Sequence, residues 1–173
     1  MNENDLPAVE AWLRLPHVAR WWTPDTTAER QVAKYRQRNT ATSARTIMLT
    51  VTWAGVPIGW CQWYGWADYP AEAAAMHARA GEIGIDYAIG DPAWIGRGAG
   101  TTLITALVAE ARRHHPGAGI LTAPDAANVA SARVLEKNGF ELVAVRSVAT
   151  EPTNAAMAIY RLAPVDISAR PTA

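Results

Sequence analysis

The sequence predicts an α/β chain of the α+β type: one domain with a mixed central sheet flanked by about four helices. Three observations lead there. Segments rich in β-formers alternate with period two at 46–53, 56–66, 82–89 and again near the C-terminal end, and segments with apolar residues at helical spacing precede and separate them. No internal repeat or linker divides the 173 residues, a length suited to one domain. Half of the residues are hydrophobic and 18% are charged, which is a globular rather than a disordered composition.

Asp5 reads as the N-cap of a first helix, with Pro7 in its first turn and Leu6, Val9, Trp12 and Leu13 as its apolar face. Pro16 is expected to end that helix, and the pair Trp21-Trp22 follows. Residues 26–29 (TTAE) offer a capping box for a second helix running to about Arg38. A hairpin comes next, turning at Ala54-Gly55, with Ile58, Trp60, Gln62, Tyr64 and Trp66 sharing one face of its return strand. Residues 67–81 are polar and alanine-rich, a loop or a short helix. In strand 82–89, Ile83, Ile85, Tyr87 and Ile89 face one way and Gly84, Asp86 and Ala88 the other. A carboxylate flanked by two minimal side chains is expected to have open space above it.

Residues 101–115 form an amphipathic helix that packs through Leu103, Ile104, Leu107, Val108 and Ala111, with Arg112 and Arg113 suited to its C-terminal dipole. A short strand at 118–123 precedes a helix that begins near Asn128 and stops at Gly139, a left-handed cap. Strands 141–148 and 155–162, joined through 151–154, complete a domain expected over 1–163. A disordered tail is expected over 164–173.

Composition narrows the function classes. The formal net charge is zero, which argues against nucleic acid as a partner. No apolar run is long enough to span a bilayer, and the N-terminus lacks the basic start and apolar stretch of a signal peptide. Cys61 is the only cysteine, which suits a reducing compartment. A cytoplasmic location, without membrane or nucleic-acid partners, is therefore expected. Asp68, Glu72, Glu82, Asp86 and Asp91 fall close together, opposed only by Arg79 and His77. Lining a pocket, they would attract a cation; a solvated acidic loop is the simpler reading.

The chemistry-bearing motif is Ile95-Gly96-Arg97-Gly98-Ala99-Gly100-Thr101, between a strand and a helix. Alternate glycines let backbone N–H groups turn inward, and the helix N-terminus adds positive potential, so the loop can cradle a pyrophosphate with Arg97 at its rim. The spacing matches neither G-x-x-x-x-G-K-[ST] nor G-x-G-x-x-G. A plain glycine-rich turn is the alternative. Asp86 can stabilise a bound alkylammonium and accept its proton during attack, or it can be a structural carboxylate paired with a cation. Trp21 and Trp22 suit a core as well as a wall against a sugar ring. His17, His77, His114 and His115 lack ligand spacing, no paired-cysteine metal site or G-x-S-x-G elbow is present, and no metal is expected.

Two longer runs, GIDYAIGDP followed by GRGAGT at 84–101 and N-x-x-S-x-R with LEKNGF at 128–140, resemble the GNAT superfamily of N-acetyltransferases. They are similar in particular to its aminoglycoside 6′-N-acetyltransferases. EAWL with PHV and WW near the start, and GVPIG in the hairpin, extend the resemblance over roughly residues 5 to 162. It implies acetyl-CoA as cosubstrate, its pyrophosphate on the backbone of Gly96, Arg97, Gly98, Ala99, Gly100 and Thr101, and its pantetheine arm beside Ala88 and Ile89 with Asn128 nearby. It implies Asp86 as the carboxylate that deprotonates the amine, and Trp22, Tyr35, Gln62 and Tyr64 on the acceptor side, with Asp125 standing in for an acceptor aspartate where this chain has Ala123.

The implied partner is a small cationic amine, the 6′-amine of an aminoglycoside. The alternatives are a siderophore lysine, a polyamine, a protein N-terminus, or a non-catalytic CoA-binding module. Monomer and dimer both stay open. The chain departs from the family at Ile95, where Gln or Arg is usual, and at Leu135, where a tyrosine often protonates the departing thiolate. The family's first strand, before the first helix, is expected either to be missing or to precede a start that was assigned late.

Overall fold

Pro16 begins a helix instead of ending one. A computed structural model describes residues 1–24, 26–40, 45–148 and 156–165. In it α1 (Leu6–Leu13) has already stopped when α2 (Pro16–Trp22) starts. Proline's missing N–H costs nothing at a first helical position, while its ring holds the preceding Leu15 extended at ψ 135°. The cap of the first helical segment also lies earlier than expected. Asn2 caps a 3₁₀ turn, Glu3–Asp5, and Asp5 turns back to accept from the Asn2 N–H at 2.7 Å instead of capping α1. In α3 (Ala28–Thr40) the Thr27 hydroxyl accepts from the Arg30 N–H at 3.3 Å, one residue later than the TTAE spacing implied.

Among the described residues six strands follow: β1 (Thr46–Trp53), β2 (Val56–Gly65), β3 (Ile83–Ile89), β4 (Ile120–Thr122), β5 (Glu141–Ser147) and β6 (Ala156–Leu162). Their order is β1-β2-β3-β4-β6-β5, and only β3 and β4 run parallel. Helices α4 (Pro70–Met76), α5 (Ala99–His114) and α6 (Val129–Lys137) complete the domain. Among the described residues there are thus six α-helices where about four were expected; α2 and α4, both opened by proline, are the additions. No strand precedes α1 among the described residues, and the Met1 ammonium donates to the Met48 carbonyl on β1 at 3.0 Å. The turn expected at 151–154 lies outside the described residues, as does most of the expected tail. Within that tail, the Val165 N–H donates to the Gly117 carbonyl at 3.1 Å.

The period-two alternation read in the hairpin sorts side chains onto two cores. One face of the sheet packs Cys61, Trp63, Ile83 and Ile85 against Leu103, Ile104, Leu107 and Leu135 of α5 and α6. The other packs Met48, Trp60 and Ala88 against α1 and α3. Trp60 is the hub there: Trp12 stacks on it at 6.1 Å, and Trp22 and Tyr35 tilt against it at 5.2 and 6.4 Å. Each such ring pair adds about 0.5–1.5 kcal/mol beyond the area buried. A third cluster joins Trp66, Met76, Leu121, Val148 and Ile159.

The sheet is not continuous through its middle. β3 and β4 pair only at Ile83–Ile120 and Gly84–Leu121, and the Thr122 hydroxyl adds a last link to the Ile85 carbonyl at 2.8 Å. Beyond Ile85, β3 leaves β4, while the chain after β4 turns to β6 through Ala158 N–H to Pro124 O at 2.8 Å. Strands that splay in a sheet's centre leave backbone groups without a ladder partner.

Candidate active site

A cleft of about 700 Å³ lies on the α2–α3 face of the sheet, beside the splay. The Asp86 carboxylate belongs to its lining. Gln62, its direct partner across the β2–β3 register, donates from Nε2 to Asp86 Oδ2 at 2.5 Å. Arg38 of α3 donates in turn to Gln62 Oε1 at 2.8 Å. Burial raises the Asp86 pKa, against the pull of the Gln62 amide and the charges of Arg38 and Lys34.

The small residues flanking Asp86 serve a different purpose from the one expected. A Cβ on Gly84 would sit 2.3 Å from the Tyr64 ring, so the space above Gly84 is filled by Tyr64, and Ala88 is buried with Trp60. Gly84 therefore exists to let Tyr64 reach the cleft wall. The cleft beside Asp86 is walled instead by side chains of α2 and α3, Trp22, Lys34 and Arg38 among them.

Trp22, Gln62, Tyr64, Asp86, Asp125 and Asn128 all line this one cleft. Tyr35 does not. It is 0% exposed, packed on Trp60, and its hydroxyl accepts from Gln31 Nε2 at 2.9 Å. Its place as an acceptor contact is corrected to a wall support. The helical register explains this: Val32 and Tyr35 turn inward, whereas Gln31, Lys34 and Arg38 share the stripe that faces the cleft. Those three side chains were not singled out from the sequence, although their i, i+3, i+7 spacing carried the signal.

The acidic stretch is mostly occupied elsewhere. Glu82 is buried and pairs with Arg161 at 2.7 Å, and Asp91 accepts from the Ala93 N–H at 2.9 Å at the start of a 3₁₀ turn. Of the five carboxylates only Glu72 and Asp86 line the cleft, joined from beyond β4 by Asp125. Arg20, Lys34 and Arg38 line it too, so among the described residues its charged side chains comprise three cations and three carboxylates.

The loop 95–101 lies where β3 hands over to α5. Gly96 and Gly98 adopt φ +75° and +85°, the left-handed region, and a Cβ on either would meet nothing within 4 Å. Gly98 is the N-cap of α5, so the N–H groups of Ala99, Gly100 and Thr101 have no acceptor within the helix, while Thr102 N–H already bonds to Gly98 O. Arg97 is exposed at the rim. Backbone alternation refines the strand beside it. Ile85 O faces β4 and Gly90 N–H faces β2, so Tyr87 and Ile89 turn their peptide groups to the splay and Ala88 turns its own to β2. Asn128 caps α6 by accepting from the Ser131 N–H at 3.2 Å.

Tyr87 and Ser131 join across the splay through their hydroxyls, and burial pushes the Tyr87 hydroxyl up to about 12. Leu135 is 0% exposed in the α5–α6 core. Ile95 is exposed beside the loop. Among the described residues no group of three or more His, Cys, Asp or Glu side chains gathers around a point that could hold a metal ion. None of the described helices is long and apolar enough to cross a membrane.

Comparison with known proteins agrees with this geometry. The family model for an acetyltransferase (GNAT) domain matches residues 2–148. Aminoglycoside N(6′)-acetyltransferase type 1 of Klebsiella pneumoniae is 30% identical over 152 residues, covering 82% of this chain and 71% of the relative. Lysine N-acyltransferase MbtK of Mycobacterium tuberculosis is 29% identical over 162 residues, covering 92% and 73%. The crystal structure of the aminoglycoside acetyltransferase AAC(6′)-Ib with coenzyme A superposes with a TM-score of 0.73 at 25% identity, covering 94% of this chain and 91% of that one. The same enzyme with coenzyme A and kanamycin gives 0.72 over the same shares.

Proposed function

We propose, for a chain that belongs to the GNAT acetyltransferase family, that its acceptor is the 6′-amino group of an aminoglycoside and that Asp86 takes the proton this amine loses. The chain is an acetyl-CoA-dependent acetyltransferase; the finer acceptor rests on the cleft. One observation carries the reading: a carboxylate with raised proton affinity lines a cleft whose wall includes Tyr87 and Ser131, the pair that joins across the splayed strands.

The residues present fit acetyl-CoA. The cradle at 96–101 offers side-chain-free backbone and the unpaired first-turn amides of α5 to a pyrophosphate. Tyr87 and Ile89 offer peptide groups to an extended amide-bearing arm in the splay. Acetyl-CoA supplies an activated acyl group; the chain supplies charge, position and a proton acceptor. Asp86 attracts the alkylammonium, then accepts its proton as the nitrogen–carbon bond forms and the carbon–sulfur bond breaks. Buried Leu135 has no proton to give, and a thiol of pKa about 8.5 is a competent leaving group as the thiolate. Trp22 and Tyr64 present ring faces to the acceptor, and Glu72 and Asp125 meet its other ammonium groups.

A second reading is favoured by the three cations. An aminoglycoside offers Arg20, Lys34 and Arg38 no anionic group, whereas an amine that also carries a carboxylate, such as a lysine, uses both signs of the cleft. A matched set of acceptors separates the two. Thiol release should be fast with a 6′-amino aminoglycoside and absent with its 6′-hydroxyl counterpart, and a sensitive bacterium expressing the chain should tolerate the first and not the second. A larger kcat/KM for lysine and its derivatives would transfer the assignment to the second reading.

A further inference from the structure

The carboxylate of Asp86 is held by a chain of two bonds that begins on another layer of the molecule. Gln62 is 4% exposed on β2, and its amide spans the space between Asp86 and Arg38 of α3. The two ends of a carboxamide are nearly alike in shape and opposite in hydrogen bonding. Turned over, Gln62 would set its oxygen against the carboxylate and its NH₂ against a guanidinium, and both contacts would repel. A guanidinium has no acceptor, so with Arg38 in place only one orientation of the amide survives.

We propose that Arg38 is a positioning residue for acetyl transfer: through Gln62 it fixes the amide that aims the Asp86 carboxylate at the incoming amine. The proposal rests on the reading of Asp86 as the proton acceptor. It also reassigns Gln62, whose oxygen and NH₂ group are engaged within the protein, from holding the acceptor to holding the base.

The charges around Asp86 give the expected direction. From α3, Lys34 and Arg38 favour its ionised form, as does the Gln62 N–H from β2. Burial opposes them and dominates. Tyr35 of α3 and Tyr87 of its own strand are near enough for their proton affinity to feel its charge, and Glu72 and Asp125 share its cleft. Removing Arg38 deletes a cation and frees Gln62 to turn. Both effects strengthen the hold of Asp86 on its proton, and because the base must be ionised to act, the acidic limb of the pH–rate profile moves to higher pH.

The test compares wild type with Arg38→Leu, Arg38→Lys, Gln62→Leu and the Arg38→Leu/Gln62→Leu double variant. Three quantities are read: acceptor kcat/KM against pH, the Asp86 carboxyl titration followed by carbon NMR in the unliganded proteins, and the rise in unfolding midpoint with acetyl-CoA. Arg38→Leu should move both the acidic limb and the carboxyl titration up by about one pH unit. Plateau turnover should fall on the order of 10-fold to 100-fold, with the acetyl-CoA response unchanged. Arg38→Lys, which keeps a cationic donor, should restore most of the loss. In the Gln62→Leu background, Arg38→Leu should still raise the carboxyl titration through the lost cation but add little to the loss of plateau turnover. An unmoved carboxyl titration, a lysine variant as impaired as the leucine variant, or a full additional loss in the double variant would overturn the proposal. Wild-type turnover in Asp86→Asn would instead remove the premise, a separate and distinguishable failure.

Discussion

Asp86 occupies a place where a negative charge is costly and a proton acceptor is useful. Burial raises its pKa above the unfolded value of about 3.9, so the folded protein binds this proton more tightly than the unfolded chain does. The contribution to stability therefore falls as pH rises through the folded pKa. Asp86→Asn keeps an acceptor for the Gln62 N–H and removes the charge. Its unfolding midpoint should exceed that of wild type at neutral pH, with the gain fading below about pH 4. Turnover should fall by about 10²–10⁴-fold with a saturating acceptor, as loss of a general base does. A variant less stable than wild type at pH 7, yet no less stable at pH 4, would contradict this account of Asp86.

The residue was legible because alternation in strand 82–89 isolates one carboxylate among small neighbours. The purpose of those neighbours was not legible. Whether Gly84 leaves room or admits Tyr64 depends on a side chain twenty positions away, and no local pattern encodes that contact. Tyr35 illustrates the same limit. A tyrosine two turns into a helix serves equally as wall or as core until the facing surface, here Trp60, is known.

At the scale of elements, the loop before α5 carries the cosubstrate reading. Gly98→Val forces a β-branched residue to φ +85°, where it is strained and where its side chain crowds the cradle. Acetyl-CoA at 100 times its dissociation constant should stabilise wild type by about 2.7 kcal/mol, and Gly98→Val should lose that response. Gly81→Val, at φ +78° before the start of β3 whereas the cradle follows its end, introduces comparable strain and should keep it. Loss in both variants would place the effect in general destabilisation. A second element-scale prediction concerns β6: Arg161→Met leaves the buried Glu82 carboxylate unpaired and should cost about 3–5 kcal/mol in denaturant unfolding without changing the pH–rate profile.

The elements themselves were largely readable, because period-two and period-3.6 patterns survive translation into burial. The exceptions share a cause. Pro16 and Pro70 each open a helix, and proline signals a boundary without saying on which side the helix lies. Glu82 and Asp91 join the acidic stretch by sequence proximity alone, whereas strand direction and a 3₁₀ turn send them away from the cleft.

For the whole molecule, two cores on opposite faces hold a sheet whose centre splays; the carboxylate-bearing cleft opens beside the splay, and the glycine cradle follows the end of β3. The cradle was visible in the sequence as a motif. The cleft was visible only in part, because Arg20, Lys34 and Arg38 come from helices whose orientation on the sheet no local pattern specifies. Their presence gives the cleft a mixed sign. The central claim, that the chain moves an acetyl group from acetyl-CoA to an amine, is tested most directly by acceptor-dependent thiol release across aminoglycosides, polyamines, lysine derivatives and peptides, with the product weighed by mass spectrometry. The account predicts release with at least one amine and a product heavier by one acetyl group on nitrogen. Acetyl-CoA that binds and stabilises the fold, yet yields no thiol with any amine in the panel, would contradict it.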